Sequence, residues 1–202
     1  MMESPKFVHA FVLRMPEKEE EKIKSQIGDF YSRPANLRKK VILHLSLFVV
    51  YLDEEKIKQM LDFLSVWKPD FKAVVGTLGE LEKVGENYIG FAIQSIEIQP
   101  MHETLTESIK HITAGCFDAR YLKEKLTEKQ RSYLDNYGYH RIKEYFQPHI
   151  TIGKYVDQDT RDREFACAPK LEGKITFTHL VFDQSIVNSG IPAEVLWSMS
   201  LV

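Results

Sequence analysis

The sequence predicts an α+β protein, and three observations carry that expectation. Apolar runs rich in β-branched residues alternate with charged stretches in which apolar residues recur at helical spacing, so strands and amphipathic helices share one chain. A strand, a helix and a second strand bearing a histidine occur in that order twice, which predicts two similar lobes. No low-complexity tract or flexible linker interrupts the 202 residues, so residues 1–202 are expected to form one domain of two pseudo-symmetric lobes.

Residues 7–15 are rich in Val, Phe and Leu and stop at Pro16, as a strand does. Ile23, Ile27, Phe30 and Tyr31 then recur at helical spacing within a charged segment. The basic connection that follows, with Arg33, Arg38, Lys39 and Lys40, leads into an apolar run over 41–52 whose length and β-branched content suit a central strand. Asp53 is placed to cap a helix carrying Ile57, Met60, Leu61 and Leu64 on one face and ending before Pro69. Residues 71–78 and 88–95 read as a hairpin about Gly85-Glu86-Asn87. Pro100 opens a helix to about Cys116, with Leu105, Ile109 and Ile112 inward, and Thr127 with Gln130 has capping-box spacing for a helix stopped by Gly138. Strands are expected over 146–155, 174–187 and 195–202, the last two joined through Asn188-Ser189-Gly190.

Composition narrows the function classes. A hydrophobic share of 44% supplies a core, and a net charge of −2 excludes the global cationic field of a protein that holds nucleic acid by charge alone. Two cysteines, Cys116 and Cys167, are too few for a disulfide scaffold and lack metal-site spacing, so both thiols are expected free in a reducing compartment. With no cationic stretch and apolar signal core at the start, and His44 and Ser46 interrupting the longest apolar run, a cytoplasmic protein without a membrane partner is expected.

The pattern His, any residue, Ser or Thr, apolar residue occurs four times: at His44-Leu45-Ser46-Leu47, His102-Glu103-Thr104-Leu105, His111-Ile112-Thr113-Ala114 and His149-Ile150-Thr151-Ile152. About 0.4 occurrences would be expected by chance at average composition. Context separates them. On a strand, residues i and i+2 share a face, so His44 projects with Ser46 and His149 with Thr151. An imidazole beside a hydroxyl suits phosphate-ester chemistry, the ring moving a proton and the hydroxyl donating to a non-bridging oxygen. Two such strands facing one another supply a general acid, a general base and two phosphate ligands. The other two copies fall in a predicted helix, where i and i+2 diverge by about 200°, and His102 and His111 are read as ordinary helix residues. His102-Glu103 does not continue as a zinc protease motif, because position 106 is Thr.

On His44-Leu45-Ser46-Leu47 and Pro148-His149-Ile150-Thr151-Ile152, together with the opening strand and helix and the apolar tail Leu180-Val181-Phe182-Asp183-Gln184-Ser185, the sequence resembles the 2H phosphoesterase superfamily. That superfamily includes the RNA 2',3'-cyclic phosphodiesterases once called 2'-5' RNA ligases. The resemblance implies a bilobal α+β fold in which two antiparallel sheets line a central cleft with helices outside. It also implies a hydrolase with His44 and His149 catalytic, Ser46 and Thr151 binding phosphate, and neither metal nor cofactor required. The substrate classes implied are RNA ends with a 2',3'-cyclic phosphate, 2'-5'-linked oligonucleotides and small cyclic nucleotides, handled by a monomer.

Ser46 stands where Thr is commoner in that superfamily, and Lys154 where some members carry arginine. Strand parity turns Lys154 to the core side unless Gly153 permits a bulge. Phe48 and Tyr155 are candidates for stacking on a base, with core packing as the other reading. Arg33, Arg38, Lys39 and Lys40 would guide a longer RNA or form a solvated loop. A nucleotide- or RNA-binding module without turnover is the alternative function, and it would not require two proton-transfer groups.

Overall fold

The computed structural model describes residues 7–33, 35–36, 42–186 and 194–201. Its strands are β1 (Phe7–Arg14), β2 (His44–Val50), β3 (Val74–Val84), β4 (Tyr88–Gln94), β5 (His149–Lys154), β6 (Lys174–Phe177), β7 (His179–Ile186) and β8 (Glu194–Ser200). They pair antiparallel in the order β6-β3-β4-β5-β2-β1-β7-β8. The α+β fold is as expected, with one refinement of its two sheets. The two four-stranded halves are continuous, joined at a seam where β2 and β5 share the residue pair Leu45 and Ile150.

The predicted strand over 174–187 breaks at Thr178 into β6 and β7, which hold the first and seventh places in the sheet order. In a flat sheet those places would lie about 28 Å apart at about 4.7 Å per strand, far beyond the reach of one connecting residue. The sheet must therefore curl until its β6 edge approaches β7. Thr178 sits at that junction, its N–H donating to the Arg14 carbonyl and its own carbonyl accepting from Leu201.

The helices are α1 (Glu17–Ile27), α2 (Asp29–Ser32), α3 (Glu54–Val66), α4 (Ile98–Thr113), α5 (Glu128–Tyr137) and α6 (Gln158–Ala166). Gly28, at φ 55°, divides the first predicted helix into α1 and α2. Asp53 accepts from Lys56 N–H at 2.8 Å, and Thr127 and Gln130 form the reciprocal capping box. Gly138 ends α5 at φ 78°, and a Cβ there would meet the Thr113 carbonyl at 2.5 Å, so only glycine fits. Ile23 and Ile27 of α1, Met60 and Leu64 of α3, and Leu105 and Ile109 of α4 join one core with Phe11, Leu45, Phe91 and Ile150 of the sheet. Each such side chain contributes about 1.5–3 kcal/mol on burial, which fixes strand register because a slip of one residue would turn the apolar set outward.

α6 is a helix that sequence periodicity does not predict, since Gln158-Asp159-Thr160-Arg161-Asp162-Arg163-Glu164 has no apolar stripe. A capping aspartate and a buried arginine hold it instead. Asp157 accepts from Thr160 N–H at 2.7 Å, while Arg161 Nη1 donates to the carbonyls of Gly85, at 2.8 Å, and Glu86 in the β3–β4 turn. Arg161 is 8% exposed. Its replacement by alanine strands both carbonyls and is expected to lower unfolding free energy by about 2 kcal/mol, measured by urea denaturation. A change below about 0.5 kcal/mol would show that the turn does not depend on this clamp.

Candidate active site

β2 and β5 carry the two strand motifs and meet at the centre of the sheet. Leu45, Leu47, Ile150 and Ile152 point into the core, each no more than 1% exposed, while His44, Ser46, His149 and Thr151 lie on the opposite face and are partly exposed. Antiparallel pairing centred on Leu45 and Ile150 sets His44 beside Thr151 and Ser46 beside His149. The histidines thus occupy one diagonal of a four-residue patch and the hydroxyls the other. Residues on such a diagonal lie roughly 7–8 Å apart, with their Cβ atoms somewhat closer, so both imidazoles can reach one phosphate.

Both rings are held in the same way. His44 Nδ1 lies 2.9 Å from the Ile42 carbonyl and His149 Nδ1 lies 2.7 Å from the Gln147 carbonyl, in each case two residues back. A carbonyl can only accept, so Nδ1 carries the proton and Nε2 is the nitrogen through which each ring takes up or gives one. On the β4 side of the patch, Gly90 pairs with Thr151 and Ala92 with His149. A Cβ at Gly90 would meet the Ile150 carbonyl at 2.8 Å and His149 Cδ2 at 3.4 Å, so small residues here let β4 approach the histidine strand.

Each motif is followed at once by a β-bulge. On β2 the register against β1 passes from Phe48 to Ser46, leaving Leu47 as the extra residue; on β5 the register against β4 passes from Gly153 to Thr151, leaving Ile152. A bulge frees backbone groups that would otherwise bond across the ladder, and buried groups need partners. The Leu47 carbonyl accepts from His102 Nδ1 at 2.8 Å, and the Ile152 carbonyl accepts from Asn36 Nδ2 at 2.9 Å. Asn36 also accepts from Lys154 N–H through Oδ1 at 3.2 Å, and His102 accepts from Lys143 N–H through Nε2 at 3.1 Å. Both side chains are 1% exposed or less. His102 is therefore a neutral imidazole of fixed tautomer, stacked on Phe146 at 4.0 Å, and burial pushes its pKa down to about 4.

The bulges correct two expectations from strand parity and settle a third. Phe48 touches the groove beside Ser46, but its side chain is 1% exposed and packs perpendicular to the Tyr139 ring in the core, so it offers no open ring face for stacking. Tyr155 is also 1% exposed and folds over Gly153, where a Cβ would lie 2.5 Å from its hydroxyl; it too presents no face to a base. Lys154 lies on the partly exposed side, its Nζ 5.4 Å from the centre of the Tyr88 ring, because the extra residue at Ile152 shifts the parity that would have buried it. Arg33 pairs with Glu164 at 2.7 Å, and Arg38, Lys39 and Lys40 lie outside the described residues.

Sequence reasoning missed four residues of this region besides Asn36. Arg14 pairs across the ladder with His44 and donates from Nη2 to Asp183 at 3.1 Å. An arginine closing the apolar run Ala10-Phe11-Val12-Leu13 was the signal that could have found it. Tyr139 and Arg141 come from the segment before β5 and line a groove with Ser46, Val49, Gln147 and His149. His102, an ordinary helix residue by its spacing, holds the bulge behind Ser46. Among the described residues no group of three His, Cys, Asp or Glu side chains could hold a metal ion, and no helix is long and apolar enough to cross a membrane. Cys116 and Cys167 are free thiols.

The family described as a protein of unknown function, DUF1045, matches residues 102–186. No curated protein matches the chain. Among solved structures, one titled as a phosphoesterase superposes with a TM-score of 0.60 at 15% identity, over 98% of this chain and 99% of that one. Escherichia coli LigT, crystallised with NADP+, gives 0.59 at 16% identity over 98% and 99% of the chains. TT0787 of Thermus thermophilus gives 0.53 at 16% identity over 96% and 97%. At such identities the likeness is one of fold, and the fold of this chain is that of the 2H phosphoesterases.

Proposed function

We propose that this protein is a metal-independent phosphodiesterase acting on a 2',3'-cyclic phosphate or a 2'-5'-linked nucleotide or RNA end. The observation that carries the reading is the diagonal of His44 and His149, each with Nδ1 donating to a backbone carbonyl. One imidazole, neutral at Nε2, removes a proton from the attacking water. The other, protonated, donates a proton to the leaving ribose oxygen as the P–O bond breaks, and the pair ends with its protonation states exchanged. Ser46 and Thr151 donate to the non-bridging oxygens as charge builds there. Escherichia coli LigT, which shares the fold, has been crystallised with 3'-AMP and with phosphate, which supports a nucleotide substrate.

A panel of 2',3'-cyclic, 2'-5'-linked and 3'-5'-linked substrates assayed with EDTA present tests the reading. Cleavage of a cyclic or 2'-5'-linked member with chelator is the expected result. Activity that EDTA abolishes and one divalent ion restores would overturn the metal-independent mechanism. Binding of the same nucleotides without turnover of any of them would favour a non-catalytic module.

A further inference from the structure

We propose that Arg141 binds a second anionic group on the substrate, so that the site prefers a diester bearing a further phosphate to one without it. The inference deepens the phosphodiesterase reading and rests on it.

Arg141 lines the same groove as Ser46 and His149 and is exposed to solvent. Its Nε donates to His140 Nε2 at 3.2 Å, and Glu124 Oε2 lies 3.3 Å from that same ring nitrogen. His140 is 2% exposed, and burial followed by the nearby guanidinium pushes its pKa down to about 4, so the ring stays a neutral acceptor that aims Arg141. Arg141 Nη1 lies 3.8 Å from where a Cβ on Gly85 would stand, so the guanidinium reaches from the segment before β5 to the β3–β4 turn. Arg161 fixes that turn through the Gly85 and Glu86 carbonyls.

Charge separates Arg141 from the other arginine near the histidines. Arg14 is matched by Asp183 at 3.1 Å, whereas among the described residues Arg141 has no carboxylate within 4.0 Å. Lys154, held over Tyr88 at the end of β4 that leads from the same turn, adds a second cation on that side. An oriented guanidinium that no carboxylate of the described residues approaches within 4.0 Å, beside a site for one phosphate, matches a second phosphate through paired N–H donors. A diester with no other charge would leave it unanswered.

The test compares adenosine 2',3'-cyclic phosphate with and without a 5'-phosphate on the wild-type protein, Arg141→Gln and Arg141→Lys. The wild type is expected to favour the 5'-phosphorylated substrate by about tenfold or more in kcat/KM, a ratio that collapses toward one in Arg141→Gln and is partly kept in Arg141→Lys. Equal kcat/KM for the two substrates in the wild type, or a ratio unchanged in Arg141→Gln, would overturn the inference while leaving the hydrolase reading intact. If neither compound is cleaved, calorimetric binding of adenosine 3',5'-bisphosphate against 3'-AMP decides. A preference for the bisphosphate that Arg141→Gln abolishes upholds the inference although the hydrolase reading fails, and equal or absent binding of the two overturns it. Circular dichroism of each variant verifies that it is folded.

Discussion

Replacing His44 or His149 with alanine is expected to lower turnover by about 10²–10⁴-fold, the usual worth of a positioned general acid or base. Neither ring belongs to the core, and each donates from Nδ1 to a carbonyl near its own strand, so folding should change little. The double variant should be scarcely worse than the poorer single one, since neither proton transfer completes the reaction without the other. Ser46→Ala or Thr151→Ala should cost less, because each removes one hydrogen bond to the phosphate and leaves proton transfer intact. Two histidines working in opposite protonation states also require a bell-shaped dependence of kcat/KM on pH. Steady-state kinetics on the best substrate of the panel reads all of these. Single histidine variants that stay folded with wild-type turnover would place the chemistry elsewhere.

Acidification from about pH 7.5 to pH 4.5 is expected to destabilise the fold, with His102 alone contributing about 2.5 kcal/mol to the loss. Burial holds its pKa near 4, against 6.5 for an exposed imidazole, so folding favours the neutral ring. That contribution is complete above pH 6.5, declines as the pH falls because the unfolded chain takes up the proton first, and is gone near pH 4. Protonation would also cost the bond that Nε2 accepts from Lys143 N–H, since an imidazolium nitrogen cannot accept. Burial lowers the pKa of His9 and His140 as well, and both add to the slope. Urea unfolding across this range, compared with His102→Phe, isolates the His102 share. Phenylalanine keeps a ring against Phe146 but cannot titrate, so the variant should be less stable at neutral pH and show a shallower decline toward pH 4. Identical slopes in the two proteins would disprove this role for His102.

The element pattern was legible wherever it depended on local chemistry. Pro16, Asp53, Thr127 with Gln130, and Gly138 mark helix ends through hydrogen bonds and dihedral limits that act over a few residues, and the structure has those ends. Period-two alternation likewise showed which residues of 44–47 and 149–152 share a face, because a strand interior with one apolar side admits one register. α6 was not legible, since its stability comes from Arg161 reaching a turn 75 residues earlier in the chain. Nor was the break at Thr178, where one residue joins strands that only the curl of the sheet brings together.

By itself the sequence determined that two imidazoles and two hydroxyls stand as matched pairs on two strands, for side-chain alternation is a property of the backbone alone. Only the tertiary structure decided that the two strands are neighbours, in a register that puts the histidines on one diagonal. It also decided where alternation fails. The bulges at Leu47 and Ile152 arise because the strands part from their partners there, and they persist because His102 and Asn36 satisfy the freed carbonyls from 55 and 116 residues away. That is why parity turned the Phe48 ring out to the cleft and Lys154 into the core, when the ring is buried and Lys154 is partly exposed. Parity holds only while every residue pairs, and pairing is set by partners distant in sequence.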